Sequence, residues 1–106
     1  MRFEVFSDIG GNSWWRLIGG NGRNVATSGE GFFSKSDATE AAERFRANAL
    51  RYTFMVYADR SGHFRWRATS PNVRTVASSG EAFDSRSNAQ RAADNVQANA
   101  GSATGP

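Results

Sequence analysis

The chain contains no cysteine, a single histidine and a single lysine, and these scarcities exclude several kinds of chemistry. Without cysteine there are no disulfides, thiolate metal ligands or cysteine nucleophiles, which fits a reducing compartment, and we expect a cytoplasmic protein. His63 stands alone in a hairpin turn, without a second ligand at metal-binding spacing. No nucleophile elbow or phosphate-binding loop is present either. The sequence therefore predicts neither a metal nor a cofactor.

Long apolar runs are also missing. The N-terminal stretch Met1–Glu4 lacks the apolar core of a secretion signal. No segment approaches the roughly 20 apolar residues that a membrane-spanning helix requires, so we expect no membrane partner. A chain of 106 residues is long enough for one hydrophobic core, and eight Phe, three Trp and two Tyr supply large side chains for it.

The positive charge comes almost entirely from arginine, since twelve Arg stand beside one Lys and ten acidic residues, for a net charge of +3. Guanidinium groups pair bidentately with phosphates, so an Arg-rich chain favours a phosphate-bearing ligand. The alternative is that Arg and Ala are abundant together because the coding genome is rich in G and C. The acidic residues are interspersed with the Arg, and no long block of one sign exists.

A tandem duplication organises what the sequence does contain. Residues 3–49 align without a gap on residues 54–100 when the chain is shifted by 51 positions, and 22 of the 47 aligned pairs are identical. The densest match places Val25–Phe32 over Val76–Phe83. Self-similarity at a fixed spacing indicates that the same structural unit occurs twice.

Each repeat predicts three antiparallel strands followed by a helix. Alternating apolar and polar residues between glycine-rich turns indicate the strands. They are predicted at Phe3–Asp8, Ser13–Ile18, Val25–Ser28, Phe54–Asp59, Phe64–Thr69 and Arg74–Ser79. An alanine-rich stripe predicts the two helices, with Phe45 anchoring the first against the sheet. Ser36 is the expected N-cap of that helix, and Ser87–Gln90 has the form of a capping box for the second.

The segments outside the repeats are short. Leu50–Thr53 joins them, and because Tyr52 is in phase with Phe54 we expect a strand-like linker, too short to separate two domains. A half of about fifty residues is marginal alone. We therefore predict an α+β fold over residues 1–100, in which both repeats share one antiparallel sheet with two helices packed on one face. A monomer with an internal pseudo-dimer follows, and residues 101–106 have the composition of a disordered tail.

Three duplicated motifs carry a resemblance to a known family: Trp15-Arg16 with Trp66-Arg67, Ser28-Gly29-Glu30 with Ser79-Gly80-Glu81, and Asn48 with Asn99. The pattern resembles the YegP-like family, small bacterial and archaeal proteins of unknown function that carry the unit once or in tandem. The resemblance implies a three-strands-then-helix unit, with a further strand exchanged between units to complete one sheet. It brings no reaction, cofactor or substrate.

Two helices on one side leave the other face of the sheet uncovered. The alternation places three aromatic and three arginine side chains there, together with Glu4, Asp8 and Asp59. The candidate binding residues are Phe6, Trp14, Arg16, Tyr57, Arg65 and Arg67. Such a face suits stacking on unpaired bases while Arg holds phosphates. The alternatives are that the acidic residues pair with Arg across strands and merely stabilise a solvated sheet, or that a partner chain covers the aromatics.

Glu30 and Glu81 follow a glycine at equivalent positions and could be read as paired catalytic carboxylates, which requires that they converge. The structural interpretation is that the glycine permits a bulge or turn and that the Glu bonds backbone N–H groups nearby. We favour the structural interpretation. The sequence thus predicts a non-enzymatic binding or protein-interaction module, with single-stranded nucleic-acid binding through the uncovered face as the alternative.

Overall fold

The structure, a computed structural model, describes all 106 residues. Its two α-helices are α1 (Lys35–Asn48) and α2 (Arg86–Asn99), each followed by one turn of 3-10 helix. Its six strands are β1 (Arg2–Ser7), β2 (Ser13–Ile18), β3 (Asn24–Ser28), β4 (Thr53–Ala58), β5 (Phe64–Thr69) and β6 (Thr75–Ser79). The predicted unit of three strands and a helix therefore occurs twice.

All six strands form one antiparallel sheet in the order β1-β2-β3-β6-β5-β4. The predicted α+β architecture is thereby confirmed. The expected exchange of a further strand is limited to one bridge, in which Thr104, after repeat two, pairs with β1 of repeat one. Each repeat keeps its own three strands together, and the halves meet edge to edge. At that junction β3 pairs with β6, with Thr27 opposite Ser78. The junction satisfies backbone groups that would be exposed at the edge of either half alone.

Both helices begin two residues earlier than predicted. Ser34 and Ser85 are the N-caps, rather than Ser36 and Ser87. The hydroxyl of Ser34 accepts the backbone N–H of Asp37 at 3.0 Å, and Ser85 caps α2 in the same way. Serine occurs at both positions of both repeats, so the cap is decided by the backbone, which is extended at the earlier serine and helical at the later one.

The C-terminal segment was predicted to be disordered, and this prediction is wrong. Ala103 is buried, and Thr104 forms a parallel bridge to β1 in which the N–H of Phe3 donates to the Thr104 carbonyl at 2.8 Å. The guanidinium of Arg46 donates to the carbonyls of Ala103 and Gly105. Residues 101–106 are ordered despite their flexible composition because the edge of β1 offers unpaired backbone groups nearby.

The linker also differs from its prediction. Ala49–Arg51 forms the 3-10 turn that follows α1, and β4 starts only at Thr53. Tyr52 is extended between them, and its carbonyl accepts a hydrogen bond of 2.9 Å from Gln97 on α2. The linker is thus held by the helix of the other repeat.

One hydrophobic core runs through both repeats beneath the helices. Phe45 of α1 lies at its centre, 4.9 Å between ring centroids from Trp15 of repeat one. The same ring stacks on Tyr52 at 5.8 Å and approaches Phe54 at 6.3 Å, and Phe54 lies 5.2 Å from Trp66 of repeat two. Fully buried alanines on both helices let them lie close to the sheet. Neither helix is long and apolar enough to cross a membrane.

Candidate functional site

The six predicted binding residues all lie on the face of the sheet opposite the helices, which we call the outer face. They form one group in each repeat: Phe6, Trp14 and Arg16, then Tyr57, Arg65 and Arg67. Between the groups lie β3 and β6, which present the small side chains of Thr27 and Ser78. Three strand spacings separate the backbones of Arg16 and Arg67, about 14 Å.

In repeat one, Arg16 connects a ring and a carboxylate. Its guanidinium lies over the ring of Phe6, 4.8 Å from the centroid, and its Nε donates to Glu4 at 3.1 Å. Glu4 also pairs with Arg2 at 3.1 Å. The hydrogen bond from Arg16 is the main reason that the pKa of Glu4 lies below its ordinary value, with Arg2 adding to the effect. The positive charge of Arg16 is therefore compensated within the sheet.

In repeat two, the equivalent arginine is free of carboxylates. The guanidinium of Arg67 lies 5.2 Å from the centroid of the Tyr57 ring, as Arg16 does over Phe6. The residue opposite Arg67 on β4 is Met55, where repeat one has Glu4, and Met55 is 50% exposed. Arg67 is exposed and forms none of the ion pairs of the protein. Of the three candidate arginines, Arg67 is therefore the one whose charge is not compensated.

In each repeat, an aspartate that follows the first strand holds one further candidate residue, Trp14 in repeat one and Arg65 in repeat two. Asp8 accepts the indole N–H of Trp14 at 2.7 Å, and Asp59 accepts Nε of Arg65 at 3.0 Å. Asp59 also accepts the hydroxyl of Ser61 at 2.8 Å. The hydrogen bonds from Ser61 and Arg65 lower the pKa of Asp59 from 3.8 to about 2, and that from Trp14 lowers the pKa of Asp8. Trp14 and Arg65 are consequently held in place.

The cross-strand pairing that was the alternative interpretation of this face is present at Glu4–Arg16 and Asp59–Arg65. One face of the Phe6 ring and one of the Tyr57 ring are each covered by a guanidinium. The outer face thus combines fixed aromatic side chains with charges that are largely balanced.

Glu30 and Glu81 do not converge. Glu30 pairs with Arg74 at 2.7 Å and Glu81 pairs with Arg23 at 2.6 Å, so each carboxylate binds an arginine of the other repeat. The pairs lie at opposite ends of the β3–β6 junction, about 20–23 Å apart along the strands. The predicted bonds from these carboxylates to nearby backbone N–H groups are replaced by the arginine pairs. No group of three or more His, Asp or Glu side chains is placed to hold a metal.

The glycines that precede these glutamates are required by close backbone contact. A Cβ on Gly29 would lie 2.3 Å from the carbonyl oxygen of Thr75, and one on Gly80 would lie 2.4 Å from that of Asn24. Since real side chains never approach so closely, any larger residue would push the two repeats apart. The duplicated Ser-Gly-Glu motif therefore serves the junction between repeats.

Sequence reasoning missed a cavity of about 320 Å³ on the helix side of the sheet, between α1 and the turn that joins β5 to β6. Trp15, Phe45 and Tyr52 line it, with Arg44 and Arg74 among its polar residues. The available signal was the difference between repeats, since Phe45 and Tyr52 align with a valine and an alanine in the second copy.

These features define a class: an α+β protein made of two fused three-strand-plus-helix units, with one face of the shared sheet open. The profile of DUF1508, a domain of unknown function, matches the chain twice, at residues 8–52 and 59–104. The chain therefore belongs to the DUF1508 family in its tandem form, and the resemblance stated from its motifs is confirmed.

Two solved structures share the fold. The solution structure of yegP from E. coli, a protein of unknown function, superposes with a TM-score of 0.80 at 24% sequence identity, covering 97% of this chain and 88% of that one. A UPF0339 protein from Shewanella oneidensis superposes with a TM-score of 0.78 at 18% identity, covering 97% and 87%. No curated protein matches the sequence. At these identities the likeness concerns the fold alone.

Proposed function

We propose that this protein is a non-enzymatic binding module that receives a protein partner on its outer face. The observation that carries the proposal is that this face stays open across all six strands while presenting fixed aromatic and arginine side chains. Trp, Tyr and Arg are the residue types that dominate the energetics of protein interfaces. Glu30 and Glu81 lie far from each other, and each pairs with an arginine, which supports a role without catalysis.

The rigidity of the aromatic side chains on the outer face also favours a protein partner. Trp14 is held by Asp8, and the rings of Phe6 and Tyr57 are each backed by a guanidinium. Side chains that are ordered before binding lose little conformational entropy when a partner arrives. Met55 is half exposed beside them and adds an adaptable apolar contact. Such a module, without cysteine, suits a monomer in a reducing cytoplasm.

The test is capture of partners on the immobilised chain from a lysate of the source organism, with washing at low and high salt. We expect specific proteins that survive high salt and are lost from Arg67→Ala and Met55→Lys. Arg91→Ala, an exposed arginine on α2, is the matched control and should retain them. Proteins retained equally by all variants, or none at all, would contradict the proposal.

Single-stranded nucleic acid is the second candidate for the same face. Arg67, exposed on the ring of Tyr57 without an acidic neighbour, supports it, because a guanidinium can stack on a base and bind a phosphate. The neutralisation of Arg16 and Arg65 by carboxylates weighs against it, since strand binding needs a positive groove. Filter binding of single-stranded RNA and DNA at two salt concentrations distinguishes the candidates. Binding that falls steeply with salt and is lost in Arg67→Ala would replace the protein partner with a nucleic acid.

A further inference from the structure

The cavity on the helix side has the features of a small-molecule site. Its volume of about 320 Å³ lies at the low end of the range for ligand pockets. Phe32 and Tyr52 are half-buried and contribute aromatic surface, while the buried rings of Trp15 and Phe45 lie beneath them, with Phe45 stacked on Tyr52 at 27° between the ring planes. Flat apolar ligands bind well against such surfaces. The cavity faces away from the outer face, so a ligand here is independent of the proposed partner.

The charge around the cavity favours a single negative charge on the ligand. Three ionised side chains line it: Glu30, Arg44 and Arg74. Glu30 and Arg74 neutralise each other in an ion pair of 2.7 Å. Arg44 is exposed and forms none of the ion pairs of the protein, so one positive charge remains. A guanidinium binds a carboxylate through two parallel hydrogen bonds, which makes a carboxylate its natural complement.

The second repeat shows that the fold does not need these residues. Asn95, Val96 and Ala103 occupy the positions equivalent to Arg44, Phe45 and Tyr52. The equivalent groove, between α2 and the turn that joins β2 to β3, is wide and largely polar. Both helices nevertheless bury residues at the same three positions, and both end at an asparagine. The second groove also holds an unpaired arginine, Arg91, and a half-buried ring, Phe83, but it has no counterpart of Tyr52.

We propose that this cavity binds a small aromatic carboxylate. The ring would lie against the half-buried Phe32 and Tyr52, above the buried rings of Trp15 and Phe45, and the carboxylate would pair with Arg44. The proposal is for binding alone, since no bond is made or broken.

The experiment is a titration of the full-length, 15N-labelled chain, followed by the backbone amides and the three indole N–H resonances. The probes are benzoate, 4-hydroxybenzoate, indole-3-acetate and 2-naphthoate, with indole-3-acetamide as the neutral counterpart of indole-3-acetate. We expect saturable shifts at Trp15 and Arg44 with at least one carboxylate. Loss of the charge in the acetamide should weaken binding about tenfold, because a charge-assisted pair is replaced by a neutral one. Failure of all four carboxylates to saturate these shifts overturns the proposal.

Two pairs of matched variants place the ligand. Arg44→Gln should remove the preference for the carboxylate over the acetamide, whereas Arg91→Gln on α2 should keep it. Ala41→Leu should fill the cavity and abolish the shifts, whereas Ala92→Leu, its equivalent on α2, should not. Binding unchanged in Arg44→Gln overturns the proposal even if Ala41→Leu fails to fold. Arg67→Ala, on the outer face, should leave carboxylate binding intact, so the two proposals fail or stand separately.

Discussion

Arg23 and Glu81 lie in different repeats and form an ion pair of 2.6 Å, and Arg74 and Glu30 form its pseudo-symmetric counterpart at 2.7 Å. Each pair lies at one end of the β3–β6 junction, next to a glycine that cannot be enlarged without a clash. The occurrence of these residues in both repeats is thus explained by the contact between the copies. Both ends of the junction are therefore held by contacts between the repeats.

The first prediction concerns the energy of this pairing. A double-mutant cycle of Arg23→Gln and Glu81→Gln, measured by urea unfolding, should give a coupling free energy of about 0.2–1 kcal/mol, since exposed ion pairs contribute little. The control cycle combines Arg74→Gln with Glu81→Gln, residues that lie at opposite ends of the junction. It should give no coupling. Equal coupling in both cycles would show that the effect is general charge balance and not the pair.

The second prediction concerns acid unfolding. The pKa of Asp59 is about 2 in the folded chain against an ordinary value of 3.8. A carboxyl whose pKa is lower in the folded state contributes stability that is present above its ordinary pKa and is lost as the pH falls through the folded value. Stability from Asp59 should therefore decline between about pH 4 and pH 2.

Ser61→Ala tests the cause of this shift, because the hydroxyl of Ser61 is the first contributor to it. In that variant the pKa of Asp59, followed by carboxyl carbon NMR, should rise towards 3.8. The loss of stability on acidification should begin at a correspondingly higher pH. The chain with Ser36→Ala, an exposed serine on α1 in the other repeat, should titrate like the parent. An unchanged Asp59 titration in Ser61→Ala would refute the assignment.

The third prediction uses a difference between the repeats. Val73 has a φ of 66°, in the left-handed region, and its side chain is 82% exposed. The equivalent residue in repeat one is Gly22, with a φ of 81°. A β-branched residue is strained there, so Val73→Gly should stabilise the chain by about 1 kcal/mol despite the greater freedom of glycine in the unfolded state. Gly22→Val should destabilise it by a similar amount. Thermal unfolding measures both, and a loss of stability in Val73→Gly would contradict the assigned strain.

Much of the fold could be predicted because the same pattern of strands and helix occurs in both repeats. The period of two along Phe3–Ile18 places Trp15 and Leu17 in the core and Trp14 and Arg16 on the outer face, as the structure has them. All six candidate residues could be assigned to one face for the same reason. Local pattern is sufficient for such assignments, since it depends only on alternation within a strand.

What could not be predicted depends on contacts between distant segments. Thr104 is ordered because it pairs with the free edge of β1, and no pattern within residues 101–106 predicts this pairing. The partner of Glu81 is Arg23, which follows from the direct pairing of β3 with β6 and not from any nearby residue. The cavity was missed similarly, because Arg44 and Arg74 come from different repeats and meet only in the folded chain.

The last prediction is that neither repeat folds alone. Phe45 belongs to repeat one, yet it stacks on Tyr52 at 5.8 Å and approaches Phe54 at 6.3 Å, and both lie beyond residue 50. A fragment of residues 1–50 would expose part of this ring and the whole edge of β3. We expect it to lack a cooperative thermal transition and near-ultraviolet circular dichroism as a monomer, or to self-associate through β3.

The full chain is the reference for this fragment, and Phe45→Ala within it is the matched test of the shared core. That substitution should cost about 3–5 kcal/mol, as for other buried Phe residues, and should unfold both repeats in a single transition. Sedimentation distinguishes a monomeric fragment from a self-associated one. A monomeric fragment with a cooperative melt, or a Phe45→Ala chain in which the repeats unfold separately, would mean that each copy completes its own core. The duplication would then be two adjacent domains and not one.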